Sequence, residues 1–209
     1  MSEIKPIQTR YKNYHFRSRL EARWAVFFDA LGIAWKYEDE GYKDTDSNLY
    51  YLPDFYLPNM KTFVEVKGNP KEIKEKVDFY SEILDYGGIL PGGCENLGTT
   101  SGLLFLGNIP DPVLTGIVVH PIIQHHEGLY LSWAMFSPGW GGSIEVFKNT
   151  SLSALIGVSP SECIEHDPKY WVSEPKVIDL NLDRNYTEVI NAYRAARSAR
   201  FEHGQNGAT

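Results

Sequence analysis

The segment from Leu49 to Lys67 constrains the fold more than any other part of the chain. It reads LYYLPDFYLPNMKTFVEVK, two runs rich in aromatic and aliphatic residues on either side of Leu57-Pro58-Asn59-Met60. Pro and Asn at its centre make that tetrapeptide a turn, and a turn so short joins its flanking strands as an antiparallel hairpin. The first strand, Leu49 to Tyr56, contains Pro53, which has no ladder donor and marks an edge or a bulge. The second, Lys61 to Lys67, alternates: Val64 and Val66 face one way, and Phe63, Glu65 and Lys67 face the other. Glu65 and Lys67 are then neighbours on one face, roughly 6 to 7 Å apart. The hairpin brings Asp54 within reach of Glu65.

The flanks extend the pattern. Leu20, Trp24, Phe27, Phe28 and Leu31 recur at helical spacing, which predicts a helix from about Phe16 to Leu31, stopped by Gly32. Ile33 to Tyr37 reads as a short strand and Glu38 to Asn48 as an acidic loop. Gly68 ends the hairpin. Asn69-Pro70-Lys71-Glu72 then opens a helix, with Asn as cap, Pro at the first position and Glu at the third. That helix is expected to run to about Tyr86, with Ile73, Val77, Tyr80 and Leu84 facing inward. A glycine-rich loop, Gly87 to Gly102, leads to a buried strand at Leu103 to Leu106. The order helix, strand, strand, strand, helix, strand predicts a mixed α/β core. Further strands are expected at Gly116 to Ile123 and Leu129 to Phe136, around Glu127-Gly128, and a last helix at Thr187 to Phe201. Residues 1–15 read as extended or irregular and His203 to Thr209 as disordered, and residues 137–186 give no clear pattern. A chain of 209 residues suits one domain: a core over 1–110 and a β-rich C-terminal elaboration of the same domain over 111–209.

Asp54, Glu65 and Lys67 suit metal-dependent phosphodiester hydrolysis. Two carboxylates offer the hard oxygens that Mg²⁺ prefers, and the ion keeps several waters. A bound metal activates a water and clamps the phosphate, while Lys67 can orient that water and stabilise developing charge. Glu21 falls within the apolar arc of the first helix, and a carboxylate there needs a reason. Either it joins the site, or it forms an i,i+4 ion pair with Arg17.

Charge points to a partner. Net charge is −7, yet residues 1–36 hold seven basic and three acidic side chains, a local +4 that leaves about −11 for the rest. A nucleic acid would meet the N-terminal part first. No apolar run approaches the roughly 20 residues that span a bilayer, and the N-terminus lacks a secretory pattern. The expectation is a cytoplasmic protein without a membrane partner. Cys94 and Cys163 form neither a zinc motif nor a disulfide framework and read as buried thiols.

The run Phe16-Arg17-Ser18-Arg19-Leu20-Glu21-Ala22-Arg23-Trp24-Ala25, followed by Tyr51-Leu52-Pro53-Asp54-Phe55 and Val64-Glu65-Val66-Lys67-Gly68, resembles the PD-(D/E)xK nuclease superfamily. It is most similar to small resolvase-like and phage-encoded members, over residues 14–86 and on towards Leu106. The resemblance implies a restriction-endonuclease-like core, a central mixed sheet flanked by helices in αβββαβ order. It implies that Asp54 and Glu65 bind Mg²⁺, or Mn²⁺ in its place, with the backbone carbonyl of Val66. It makes Lys67 the catalytic lysine, and Glu21 the acidic residue that many members carry on the first helix.

The function expected is Mg²⁺-dependent, endonucleolytic hydrolysis of DNA, with Arg17 and Arg19 neutralising phosphates and a homodimer left open. The alternative is a nuclease-fold binding module for nucleic acid or protein, such as a phage accessory or counter-defence factor. Four other features have bland readings beside functional ones. His120, His125 and His126 beside Glu127 are either a transition-metal site or turn-exposed histidines. Gly87-Gly88 and Gly92-Gly93 lack the Gly-Lys-Ser/Thr of a phosphate loop. Trp133, Trp140 and Trp171 either stack on bases or pack. Arg194, Arg197 and Arg200 either touch phosphates or favour the negative end of the last helix.

Overall fold

A computed structural model describes residues 7–43, 48–84, 90, 102–111, 116–125, 129–137, 143–147, 176–179 and 186–201. The chain enters through a hairpin, β1 (Thr9–Tyr11) and β2 (Tyr14–Phe16), in which Arg10 lies opposite His15. Of the extended or irregular start expected, the extended reading holds for these strands, and Phe16 belongs to β2 rather than to the helix that follows. That helix, α1 (Arg19–Ala30), starts late because Ser18 caps it: its hydroxyl accepts the Glu21 N–H at 3.2 Å. Gly32 follows the helix with φ 71°, a left-handed conformation that glycine adopts freely.

Next come β3 (Lys36–Tyr37), β4 (Tyr42–Lys43), β5 (Tyr50–Tyr51) and β6 (Phe55–Leu57). The single strand expected over Leu49 to Tyr56 is split. β5 pairs with β4 in a small separate ladder, and β6 joins the main sheet. Pro53 lies in the break, where its missing N–H removes no ladder bond. A 3-10 turn at Pro58–Met60, closed by Lys61 at φ 48°, leads into β7 (Thr62–Val66). Asn69 caps α2 (Pro70–Glu75) by accepting the Lys71 N–H at 3.1 Å. A break at Lys76 separates α2 from α3 (Val77–Leu84), so the expected single helix is two. β8 (Gly102–Leu106), β9 (Gly116–His125), β10 (Leu129–Ser137), β11 (Ser143–Phe147) and β12 (Lys176–Asp179) follow, and then α4 (Thr187–Ser198).

The main sheet runs β11-β10-β9-β8-β7-β6-β3, with β12 also paired to β9. Among the described strands only β7 and β8 pair in parallel, and α2 and α3 lie in the connection between them. The chain is thus α/β with a mixed sheet. Its two faces carry separate cores, because successive residues of β7 point oppositely. Val64 and Val66, with Phe55, Leu57, Leu104 and Leu106, pack towards α1 and α4. Phe63, with Leu103 and Phe105, packs with Ile73, Tyr80, Ile83 and Leu84 of α2 and α3. Trp24 and Phe27 of α1 meet Tyr193 of α4 at ring distances of 6.1 and 4.5 Å, so the last helix completes the layer that the first begins. Among the described residues no helix is long and apolar enough to cross a membrane.

Candidate active site

The hairpin register decides where the acids meet. Phe55 lies opposite Val64 and Leu57 opposite Thr62, so the next step places Asp54 across from Glu65. Asp54 precedes β6 in a bend, 3% exposed. Its Oδ2 accepts the Val66 N–H at 2.7 Å, and its Oδ1 accepts from Arg17 Nη2 at 2.7 Å. Val66, whose carbonyl the resemblance names as a ligand, thus presents its N–H to the same carboxylate.

Glu65 is 5% exposed and lies on the α3 side of the sheet with Phe63. Its Oε2 accepts from the Tyr51 hydroxyl at 2.6 Å. Its Oε1 takes the Lys67 ammonium at 2.7 Å and the Tyr80 hydroxyl at 3.1 Å. The period-2 expectation for Glu65 and Lys67 holds: both reach one point. Tyr51 and Tyr80 are members of this group that the sequence conceals, because a tyrosine on an apolar face reads as core.

Glu21 is also buried, at 7% exposure, and the structure gives its oxygens clear partners. Oε1 accepts from the Ser18 hydroxyl at 2.7 Å, and Oε2 accepts from the Tyr37 hydroxyl at 2.5 Å and the Arg17 N–H at 3.0 Å. Ser18-x-x-Glu21 has the spacing of a capping box, a sequence signal overshadowed by the helical-wheel position. The i,i+4 ion pair with the Arg17 guanidinium, the alternative to a site role for Glu21, is not formed. Arg17 touches Glu21 only through its backbone, and its guanidinium reaches Asp54 and, at 2.6 Å from Nε, Glu38. Glu38, at the start of the acidic loop expected there, thereby joins the edge of the site. Arg19 heads α1 and is half-buried.

Concentrated charge sets the electrostatics. Burial and the neighbouring Glu65 charge push the Asp54 carboxyl up to about 7, against the pull of Lys67 and the Val66 N–H. Burial disfavours the Lys67 ammonium, but the charges of Glu65 and Asp54 outweigh it and hold Lys67 above its ordinary value. Lys67 therefore stays protonated at neutral pH and acts as a cation, not a base. Tyr51, Tyr80 and Tyr37 are all raised by burial and by the carboxylate each one touches, so they remain donors. Among the described residues no group of three or more His, Cys, Asp or Glu side chains is placed to hold a metal ion. Mg²⁺ needs only one or two carboxylates and fills its remaining positions with water.

The other candidates fall elsewhere. His120 is not turn-exposed. It is fully buried on β9, its Nε2 lies 2.7 Å from the Tyr193 hydroxyl, and burial lowers its pKa to about 3. Arg197 donates to the Ile109 carbonyl and pairs with Asp111, and Arg194 donates to Asn191. His126, Trp140, Trp171, Cys94, Cys163 and the glycine pairs lie outside the described residues, as do the side chains of His125 and Trp133. No protein-family model, curated protein or solved structure matches the chain.

Proposed function

We propose that this protein is a divalent-metal-dependent nuclease that hydrolyses DNA phosphodiester bonds endonucleolytically, with Mg²⁺ as its ion and Mn²⁺ as a substitute. One observation carries the reading. Two buried carboxylates, opposite one another across a hairpin, each have one oxygen fixed by a neutral donor and the other turned to a basic side chain: Asp54 to Arg17, and Glu65 to Lys67. Such a pair is fixed on its inner side, and each outer oxygen already faces a cation at 2.7 Å. We read the core as restriction-endonuclease-like, on the order α1, β3, β6, β7, α2 and α3, β8 around a mixed sheet.

The donor set fits a hard divalent ion. It is all oxygen, and the Asp54 carboxyl is raised first by burial and then by the Glu65 charge beside it. Arg17 pairs with Asp54 and Glu38, and Lys67 with Glu65, so that these two cations meet three carboxylates, with Glu21 beside them. Asp54 and Glu65 would hold the metal, with the Val66 carbonyl beside them. Glu21 sits close enough for its charge to raise Asp54, but its bonds make it first a helix cap. When bound, the ion would lower the pKa of a water and polarise the phosphate. The chain's own residues do the rest. Tyr51 and Tyr80 fix the Glu65 carboxylate, the Val66 N–H fixes Asp54, and the protonated Lys67 stabilises charge building on the phosphate. Arg17, with its side chain 55% exposed, supplies a phosphate contact at the rim.

The test is cleavage of a panel of duplex, branched and single-stranded DNA and RNA by the purified chain, with Mg²⁺, with Mn²⁺ and with EDTA. The Asp54→Ala and Lys67→Ala variants are run alongside. Metal-dependent cutting that both variants lose is the expected result. No cutting of any substrate, with DNA bound equally by wild type and variants, would replace the enzyme by a binding module.

A further inference from the structure

Arg17 occupies a position that neither capping nor packing explains. Its backbone is pinned, because its N–H is donated to Glu21 Oε2 and to the Tyr37 hydroxyl, both at 3.0 Å. Its side chain is more than half exposed and bridges two unlike carboxylates. Nη2 lies 2.7 Å from Asp54 Oδ1, whose side chain is 4% exposed, and Nε lies 2.6 Å from Glu38 Oε1, whose side chain is 25% exposed. The guanidinium therefore covers the one oxygen of Asp54 that the backbone leaves open. A divalent ion and a guanidinium cannot share that oxygen, since like charges a few ångströms apart repel strongly even at a half-exposed site.

We infer that Arg17 is a placeholder cation: it neutralises Asp54 until a divalent metal arrives, then withdraws onto Glu38, the carboxylate that receives it. The inference rests on the metal-dependent reading above and adds an exchange to it. Glu38 becomes a positioning residue, acting on the site only through Arg17. The pinned backbone keeps the displaced guanidinium beside the site, where its fork faces solvent and an incoming phosphate. Metal loading and phosphate capture are thereby one movement, and the chain presents its arginine to substrate only when the metal is in place.

The two variants move metal affinity in opposite directions. Arg17→Gln removes the competitor and keeps a polar side chain, so Mn²⁺ binds about tenfold more tightly. Glu38→Gln removes the receiving carboxylate and leaves Arg17 on Asp54, so Mn²⁺ binds about threefold more weakly. In the Arg17→Gln background, Glu38→Gln changes affinity less than about twofold, because Glu38 has nothing left to receive.

The measurement is free Mn²⁺ by electron paramagnetic resonance, titrated into the full chain without nucleic acid. Thermal unfolding of each variant verifies the fold. Wild-type binding with unchanged or weaker binding by Arg17→Gln overturns the exchange and leaves the nuclease reading standing. An equal loss from Glu38→Gln in both backgrounds also overturns it, since Glu38 would then be only a distant negative charge. Failure of the wild-type chain to bind Mn²⁺ removes the metal-dependent reading and the exchange together.

Discussion

Replacing Asp54 with asparagine should make the metal-free protein more stable above neutral pH while abolishing the activity proposed for it. The reasoning starts from burial. In the unfolded chain the carboxyl ionises near its ordinary 3.8, whereas in the fold burial and Glu65 push it up to about 7. Below about pH 4 both states hold the proton, and the fold is not penalised. Between 3.8 and about 7 the unfolded chain has released the proton and the folded chain keeps it, so stability falls as pH rises. Above that window the full penalty applies, about 4 kcal/mol for a displacement of this size. Asparagine keeps the shape and stays neutral, but it cannot accept at both oxygens from the Val66 N–H and Arg17. Losing one such bond gives back about 1–3 kcal/mol. The net is a gain of about 2 kcal/mol at pH 8, or roughly 4–8 °C in Tm for a chain of this length. Thermal unfolding by circular dichroism in EDTA, from pH 4 to 8, follows the difference between the two proteins. That difference should grow steadily with pH. A constant difference, or an Asp54→Asn variant less stable than wild type at pH 8, would refute the claim that Asp54 is held charged against its surroundings.

Two further outcomes follow from the same geometry. Tyr51→Phe leaves a buried Glu65 oxygen without its 2.6 Å donor and should cost about 1–3 kcal/mol in urea unfolding, whereas Tyr80→Phe, whose bond is 3.1 Å and shares its oxygen with Lys67, should cost less. His120 is buried neutral with its pKa lowered from 6.5 to about 3, so it contributes stability above about 6.5 that is lost as pH falls towards 3; His120→Gln should therefore shift acid unfolding to lower pH, read by tryptophan fluorescence.

Much of the site is legible in the sequence because two periodicities and one short turn determine it. Period 2 puts Glu65 and Lys67 together, and Pro58-Asn59 fixes the hairpin that sets Asp54 opposite Glu65. What stays hidden depends on residues whose role is decided by a distant partner. Tyr37, Tyr51 and Tyr80 look like core until the carboxylate beside each hydroxyl is known. The direction of Arg17 is not readable, because helical spacing offers it Glu21 while the fold offers it Asp54 and Glu38. His120 escapes for the same reason: its exposure is set by α4, more than seventy residues later. The break at Lys76 has no glycine or proline to announce it, so no local signal separates α2 from α3.

The pairing of α1 with α4 has a consequence for timing. Glu21 and Ser18 belong to the helix whose Trp24 and Phe27 are covered by Tyr193. A ribosome releases the first of these residues long before the last, and closing so long a loop is among the slower steps of folding. Until α4 emerges, the surface of Trp24 and Phe27 that Tyr193 covers stays wet. A chain cut short before residue 187 therefore lacks the cover that α4 places on α1.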